Sequence, residues 1–289
     1  MAAQTADSPL MPVLFVGHGS PMNAIENNRF SRNWRLLGEL LPKPQTILCI
    51  SAHWETRGTQ VTAMASPRTI HDFGGFPDAL YQMTYPAPGS PSLARDIQQL
   101  VKSTGVGLDY EWGLDHGSWS ILHHMFPAAD IPVVQLSLDR TRSGSAHYAL
   151  GKELLPLRRQ GVLIMGCGNL VHNLRLIALG GRGVRDFNTP FGFDWAEKAS
   201  AIFRKLITER RHQALADFPA LGAEVQLAIP SPEHYLPLLY ILALQQETES
   251  VLFFNDHHVG GSLSMTSLIV GEETQLTHYT ATLNDKPAV

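Results

Sequence analysis

The chain has 289 residues, 44% of them apolar, and 22 Lys and Arg against 26 Asp and Glu, a formal charge of -4. That is enough for one large domain or two small ones, and no Lys/Arg-rich block predicts a nucleic-acid footprint. Two cysteines exclude a disulfide scaffold, and no apolar run reaches the roughly 20 residues a membrane-spanning helix needs.

The opening "MAAQTADSPLMP" lacks a basic patch followed by an apolar segment, so residues 1–12 read as a flexible N-terminus without a secretory signal, and the expected compartment is cytoplasmic. "MPVLFVG" reads as a central strand. In "NRFSRNWRLLGELL", Phe30, Trp34, Leu37 and Leu41 recur at helical spacing. "QTILCISAH" is a second buried strand and "TQVTAMAS" a short one. The Gly- and Pro-rich stretch "PRTIHDFGGFPDALYQMTYPAPGSP" forbids one continuous element, and its aromatic residues suit an ordered active-site wall. "SPSLARDIQQLVKS" predicts a helix capped by Ser90 with Pro91 in its first turn. "GSWSILHHMF" is a further helix and "IPVVQLSL" a strand. The helix "GSAHYALGKELLPLRR" leads into the strand "GVLIMGCG". Helical periodicity returns in "GFDWAEKASAIFRKLITER", and "SPEHYLPLLYILALQQ" reads as a helix starting at Ser231, Pro232 and Glu233. "VLFFND" and "SLSMTSLIVG" are late strands, and residues 271–289 are expected to form a polar tail. Cys49 and Cys167 each sit in an apolar strand and read as reduced core thiols.

Strands alternating with helices, several strands apolar throughout, predict an α/β fold. The expected architecture is a single domain with a central mostly parallel or mixed sheet flanked by helices. Such sheets bind ligands at the carboxyl ends of their strands, and the unusual histidines fall there. His18 ends the first strand, between two glycines, and His53 ends the second. If these strands are parallel neighbours, the two imidazoles converge, a donor set suited to iron, zinc, nickel or copper. His234 is a third candidate ligand, or else a helix-cap partner of Glu233. His116 and His172 lie in glycine-bearing segments suited to moving a proton. His71 touches substrate, orients a ligand or binds Asp72. In the adjacent pairs His123/His124 and His257/His258, one member of each is expected to face away. HExxH, GxGxxG and Walker patterns are absent, and "GHGSP" is not a nucleophile elbow because its serine follows the second glycine.

Taken together, "GHGSPMNAI", "SAHW", "TIHDFGGFP", "YPAPGSP", "WGLDHGSW", "GNLVHNL" and "PEHYLPLLY" resemble, in order, the bacterial and plant 4,5-DOPA extradiol dioxygenase family, a branch of the LigB-like class III extradiol dioxygenases. The resemblance implies a catalytic domain over 13–270. It also implies a non-haem Fe(II) centre held by His18, His53 and His234, with Zn(II) able to occupy the same site in preparations. His172 is implied as acid/base, or as a fourth ligand, and His116 as a substrate contact or proton shuttle. Better-known protocatechuate-cleaving relatives use two histidines and a glutamate, whereas here His234 follows Glu233. The implied partners are a catecholic small molecule such as L-DOPA and dioxygen, and the implied product is 4,5-seco-DOPA or a related semialdehyde. Neither nucleic acid nor membrane is a partner, and the chain is expected as a monomer or small homo-oligomer. Trp54, Phe73, Phe76, Tyr81, Trp119 and Tyr235 are candidate pocket aromatics, and Arg68 a candidate receiver of a substrate carboxylate. The competing readings are a zinc-dependent hydrolase on the same scaffold and a non-catalytic catechol- or metal-binding protein.

Overall fold

Runs of β-branched and other large apolar residues, buried on both faces, build the centre of the sheet. The computed structural model describes residues 10–178 and 187–284. Its strands are β1 (Val13–Gly17), β2 (Thr46–Thr56), β3 (Thr59–Thr62), β4 (Val106–Asp109), β5 (Val133–Asp139), β6 (Val162–Gly168), β7 (Glu249–Phe254), β8 (His258–Val259), β9 (Leu263–Ser264) and β10 (Ser267–Glu272). Among the described residues the main sheet runs β4-β3-β5-β2-β6-β1-β10-β7, and β8 pairs with β9 as a separate ribbon. The central strands β5, β2, β6 and β1 are parallel, while β10 and β7 add antiparallel at one edge. This is the expected α/β domain with a mixed sheet, and β1 and β2 both flank β6 rather than each other.

The helices are α1 (Arg29–Leu40), α2 (Asp78–Tyr81), α3 (Pro91–Leu100), α4 (His116–Met125), α5 (Gly144–Glu153), α6 (Leu155–Arg159), α7 (Asp194–Thr208), α8 (His212–Ala216), α9 (Ala223–Ala228), α10 (Leu236–Ala243) and α11 (Glu273–Asn284). Side chains from α1, α4 and α11 form the core on one face of the sheet, those from α3, α5, α7 and α10 the core on the other. Every residue of α10 is buried. As expected, Ser90 caps α3 through Leu93 N, and Cys49 and Cys167 are free and buried.

Several expectations change. Of the N-terminus expected to be flexible, residues 1–9 lie outside the described residues, but Met11 is buried and its carbonyl accepts from Arg158 Nε at 2.8 Å. Of the polar tail expected over 271–289, residues 285–289 lie outside the described residues, but α11 buries Leu276, Tyr279 and Leu283, an i, i+3, i+7 stripe hidden within polar composition. Residues 144–159 split into α5 and α6, because Pro156 has no amide to continue the ladder. The late strand breaks at Met265, whose N–H turns to His257 O at 2.8 Å, leaving β9 and β10. No described helix is long and apolar enough to cross a membrane.

Candidate metal centre

Five histidines from five separate segments meet at the carboxyl ends of the central strands. His18 follows β1 directly, and its N–H bonds to Gly168 O at 3.2 Å, fixing it against the end of β6. The flanking glycines answer to geometry. A Cβ on Gly17 would lie 2.7 Å from the Met265 backbone, and Gly19 turns with φ +63°. His53 lies within β2 rather than at its end. The strand continues to Thr56 after a register shift between Ile50 and Glu55, an irregularity of the kind that re-aims a side chain. His116 is the first residue of α4. That helix is capped by Asp115, whose buried carboxylate accepts from Ser118 N (3.1 Å), Ser51 Oγ (2.7 Å) and Gln135 Nε2 (2.7 Å). His172 follows β6, its N–H on Ala228 O at 2.9 Å.

His234 corrects the expected helix start. Helix α10 begins at Leu236, so His234 lies in the turn before it. There its carbonyl accepts from Asn169 N at 2.9 Å, and a Cβ on Gly168 would come within 2.1 Å of the same oxygen. The turn therefore docks onto the end of β6 and brings His234 beside His18 and His53.

Ring centroids of His234 lie 5.4 Å from His18 and 5.1 Å from His53, and those of His18 and His53 are 4.9 Å apart. His116 is 4.1 Å from His53, and His172 stacks on His234 at 3.5 Å and 5°. Ligand atoms of His18, His53 and His116 all lie within 4.8 Å of one another, as do those of His172, Glu233 and His234. The remaining histidines stay out of this group. His71 Nε2 is 2.9 Å from Met83 O, His124 Nε2 is 2.8 Å from Asn23 O, and His258 lies between Glu197 and Ser200.

Burial, then the neighbouring imidazoles His53, His116 and His172, hold His18 well below the usual histidine range. Burial first, with repulsion from His116, lowers His53 to about 3 against the pull of Asp72. Burial lowers His172 to about 4. His234 is also driven well down, by burial and then by His172, His53, His18 and His116. These four rings are neutral at pH 7, with a lone pair free on one nitrogen. Burial works to raise Asp72, but the His116 and His53 rings outweigh it and leave the carboxyl below its ordinary value.

The donor set fits a transition-metal ion. His18 Nδ1 lies 3.0 Å from Gly19 O and His234 Nδ1 3.0 Å from Glu233 Oε1, so each donates its Nδ1–H outward and keeps its Nε2 lone pair for the cavity. His234 Nε2 is buried with no hydrogen-bond partner among the described residues, and the Nε2 atoms of His18 and His53 face each other at 3.3 Å. Glu233 is thus a support behind His234, not a capping group. Asp72 was missed as part of the site. Within "TIHDFGG" only an adjacent histidine drew attention to it, yet it reaches His53 and His116 rather than His71.

The aromatic candidates divide. Phe73 lies 5.5 Å from the His116 ring and forms a cluster with Phe76, Tyr81 and Trp119. Trp54 instead stacks on Trp112, and Tyr235 is buried with its hydroxyl on Leu215 O. Arg68 Nε donates to Trp112 O at 3.1 Å.

The family described as catalytic LigB subunit of aromatic ring-opening dioxygenase matches residues 31–270. The chain is 45% identical over 269 residues to the 4,5-DOPA dioxygenase extradiol of Escherichia coli (strain K12), covering 91% of this chain and 96% of that protein. It is 36% identical over 271 residues to the protein of the same name from Beta vulgaris, covering 91% and 97%. The crystal structure of an uncharacterized protein from Escherichia coli K12 superposes with a TM-score of 0.77 at 40% identity, covering 90% of this chain and all of the other. The chain belongs to the LigB family of aromatic ring-opening dioxygenases, which are metal-dependent. Its activity is that of an extradiol aromatic ring-opening dioxygenase.

Proposed function

We propose that this protein uses dioxygen to open the ring of a catechol carrying a polar side chain, L-DOPA or a close relative, at an Fe(II) ion held by His18, His53 and His234. The ring-opened product is 4,5-seco-DOPA or a related semialdehyde. The observation that carries the reading is the convergence of buried imidazoles in which His234 Nε2 has no partner among the described residues and the Nε2 atoms of His18 and His53 have only each other, at 3.3 Å. The names of the E. coli and Beta vulgaris relatives support the substrate class. When bound, Fe(II) supplies redox coupling between a deprotonated diol and dioxygen.

The chain's own residues supply position and proton control. His172, parallel to the His234 ring and held by its backbone N–H, presents a neutral imidazole that can take a phenolic proton and return it as the ring opens. His116, its ring 4.1 Å from that of His53, is the second proton carrier or hydroxyl contact. Phe73, with Trp119 and Tyr81 behind it, offers an apolar face beside His116 against which a flat ring can lie. Zn(II) fits the same nitrogen donors but cannot carry the redox step.

The test is anaerobic loading with Fe(II), then oxygen uptake and product mass with L-DOPA. Uptake that depends on catechol, with a product heavier by two oxygen atoms before any loss of water, is expected. Metal-loaded protein that consumes no oxygen with L-DOPA or simpler catechols overturns the reading.

A further inference from the structure

Asp72 is the non-histidine residue that touches two of the site's rings at once. The chain reaches it along a fixed path. Ile70 N–H bonds to Leu114 O at 2.7 Å, Leu114 N–H to Arg68 O at 2.8 Å, and Trp119 Nε1 to Ile70 O at 2.8 Å. These bonds tie residues 68–70 to the segment that starts α4. Beyond Asp72, Gly75 at φ +78° turns the chain away. The carboxylate, 15% exposed, is thereby pinned at the first turn of α4. Its Oδ1 accepts from the backbone N–H of His116 at 2.9 Å, one of the unpaired amides at a helix start, where negative charge is also favoured. The same Oδ1 is 3.0 Å from His116 Nδ1, and Oδ2 is 3.2 Å from His53 Nδ1. These two side-chain contacts are ion-pair approaches and not formed hydrogen bonds: Asp72 Oδ2 and His116 Nδ1 are both buried without a hydrogen-bond partner among the described residues, an acceptor and a ring nitrogen left to be satisfied within the same cluster.

We infer that Asp72 is the positioning residue of the centre: one carboxylate takes Nδ1–H from both His53 and His116, so that both rings keep Nε2 unprotonated toward the cavity. This rests on the proposed roles of His53 as ligand and His116 as proton carrier. An ionised carboxylate only accepts, which is why an acid suits this position. An asparagine of the same shape cannot do both tasks. Its oxygen would stay with the His116 N–H, which needs an acceptor, and its NH2 would then face His53 Nδ1. His53 could meet that donor only with a lone pair, and its proton would move to Nε2, the atom that should hold the metal.

The experiment is 15N NMR of histidine-labelled, metal-free protein, wild type and Asp72→Asn, with resonances assigned through His53→Gln and His116→Gln. Both rings are expected as Nδ1–H tautomers in the wild type. In Asp72→Asn, His53 becomes Nε2–H while His116 stays Nδ1–H, and Zn(II) affinity by chelator competition falls about 10–100-fold. An Nε2–H tautomer on either ring in the wild type overturns the inference, and that spectrum suffices if the variant does not fold. So does an Asp72→Asn protein in which the His53 tautomer or the Zn(II) affinity is unchanged. Neither measurement uses turnover. A protein that passes both yet opens no catechol would sink the proposed function and leave the role of Asp72 standing.

Discussion

Two buried histidine clusters in this molecule are completed in different ways. His258, 5% exposed, has both ring nitrogens matched: Nδ1 lies 3.1 Å from Glu197 Oε1 and Nε2 2.9 Å from Ser200 Oγ. His234, 7% exposed, has Nδ1 matched by Glu233 and Nε2 matched by nothing among the described residues. Burial is therefore the same and does not separate them. An acceptor on one nitrogen and a donor on the other is a finished hydrogen-bond network, which rigidifies and needs no ligand. Several imidazoles that turn lone pairs on one another are unfinished until a cation arrives. An unmatched nitrogen alone does not mark the site, since His147 and His212 also leave a buried Nε2 without a partner among the described residues; what marks it is the gathering of several imidazoles around His234.

Removing a ligand breaks the contrast most severely. His18→Ala is expected to lose most metal occupancy, a larger loss than the about 10–100-fold typical of an outer partner, and with it turnover. Normal Fe(II) affinity by anaerobic calorimetry would contradict its ligand role. His172→Ala comes next. It should keep considerable metal, since two well-supported rings and His18 remain, while turnover falls about 10²–10⁴-fold for loss of an acid/base group. Metal loss equal to that of His18→Ala would make His172 a ligand instead.

The difference between the clusters was only partly legible in the sequence. His18 and His53 stood out because apolar strands led into them, and a parallel sheet carries such positions to one edge. His234 was placed on a helix because Ser231, Pro232 and Glu233 imitate a helix start; the turn forms instead because its carbonyl docks on Asn169 at the end of β6, a contact that no local pattern records. Asp72 was illegible for the same reason. Its partners lie 19 residues before it and 44 after, and only the tertiary path through Leu114 unites them. In the pairs His123/His124 and His257/His258 one member was expected to face away, and His124 and His258 are the buried ones, but which nitrogens they satisfied depended on Asn23, Glu197 and Ser200. Helix α11 was missed because its apolar stripe is narrow and the rest of the segment polar.

Acid sharpens the comparison. In the unfolded chain these rings titrate near 6.5, whereas folding lowers His53 to about 3, His172 to about 4, and His18 and His234 as well, with burial the first cause in each case. Between those values the unfolded state binds more protons, so stability rises with pH. The contribution is complete above about pH 6.5 and is lost as pH falls toward 4 and below. Urea unfolding of metal-free protein should therefore show a free energy that declines across this window, by at most about 1.4 kcal/mol per pH unit per group. His258, lowered by burial against the pull of Glu197, adds the same sign. Its replacement by Asn should leave most of the slope, because four other lowered rings sit in the cavity. Stability that rises on acidification from pH 6.5 to 4.5 would contradict this account.

The smallest functional effect is expected from Ser200→Ala. The change removes the hydroxyl on His258 Nε2 and leaves the Glu197 contact to Nδ1 intact. An unpaired buried acceptor costs about 1–3 kcal/mol. Ser200 also lines a cavity of about 350 Å³ with Glu197, Arg204 and Asp256, polar enough for water to take over the lost donor, which places the cost at the lower end. Thermal unfolding should fall slightly, while kcat, KM and metal content per folded molecule stay at wild-type values. A fall in turnover per bound metal would mean that the finished cluster feeds the unfinished one, and the distinction between them would fail.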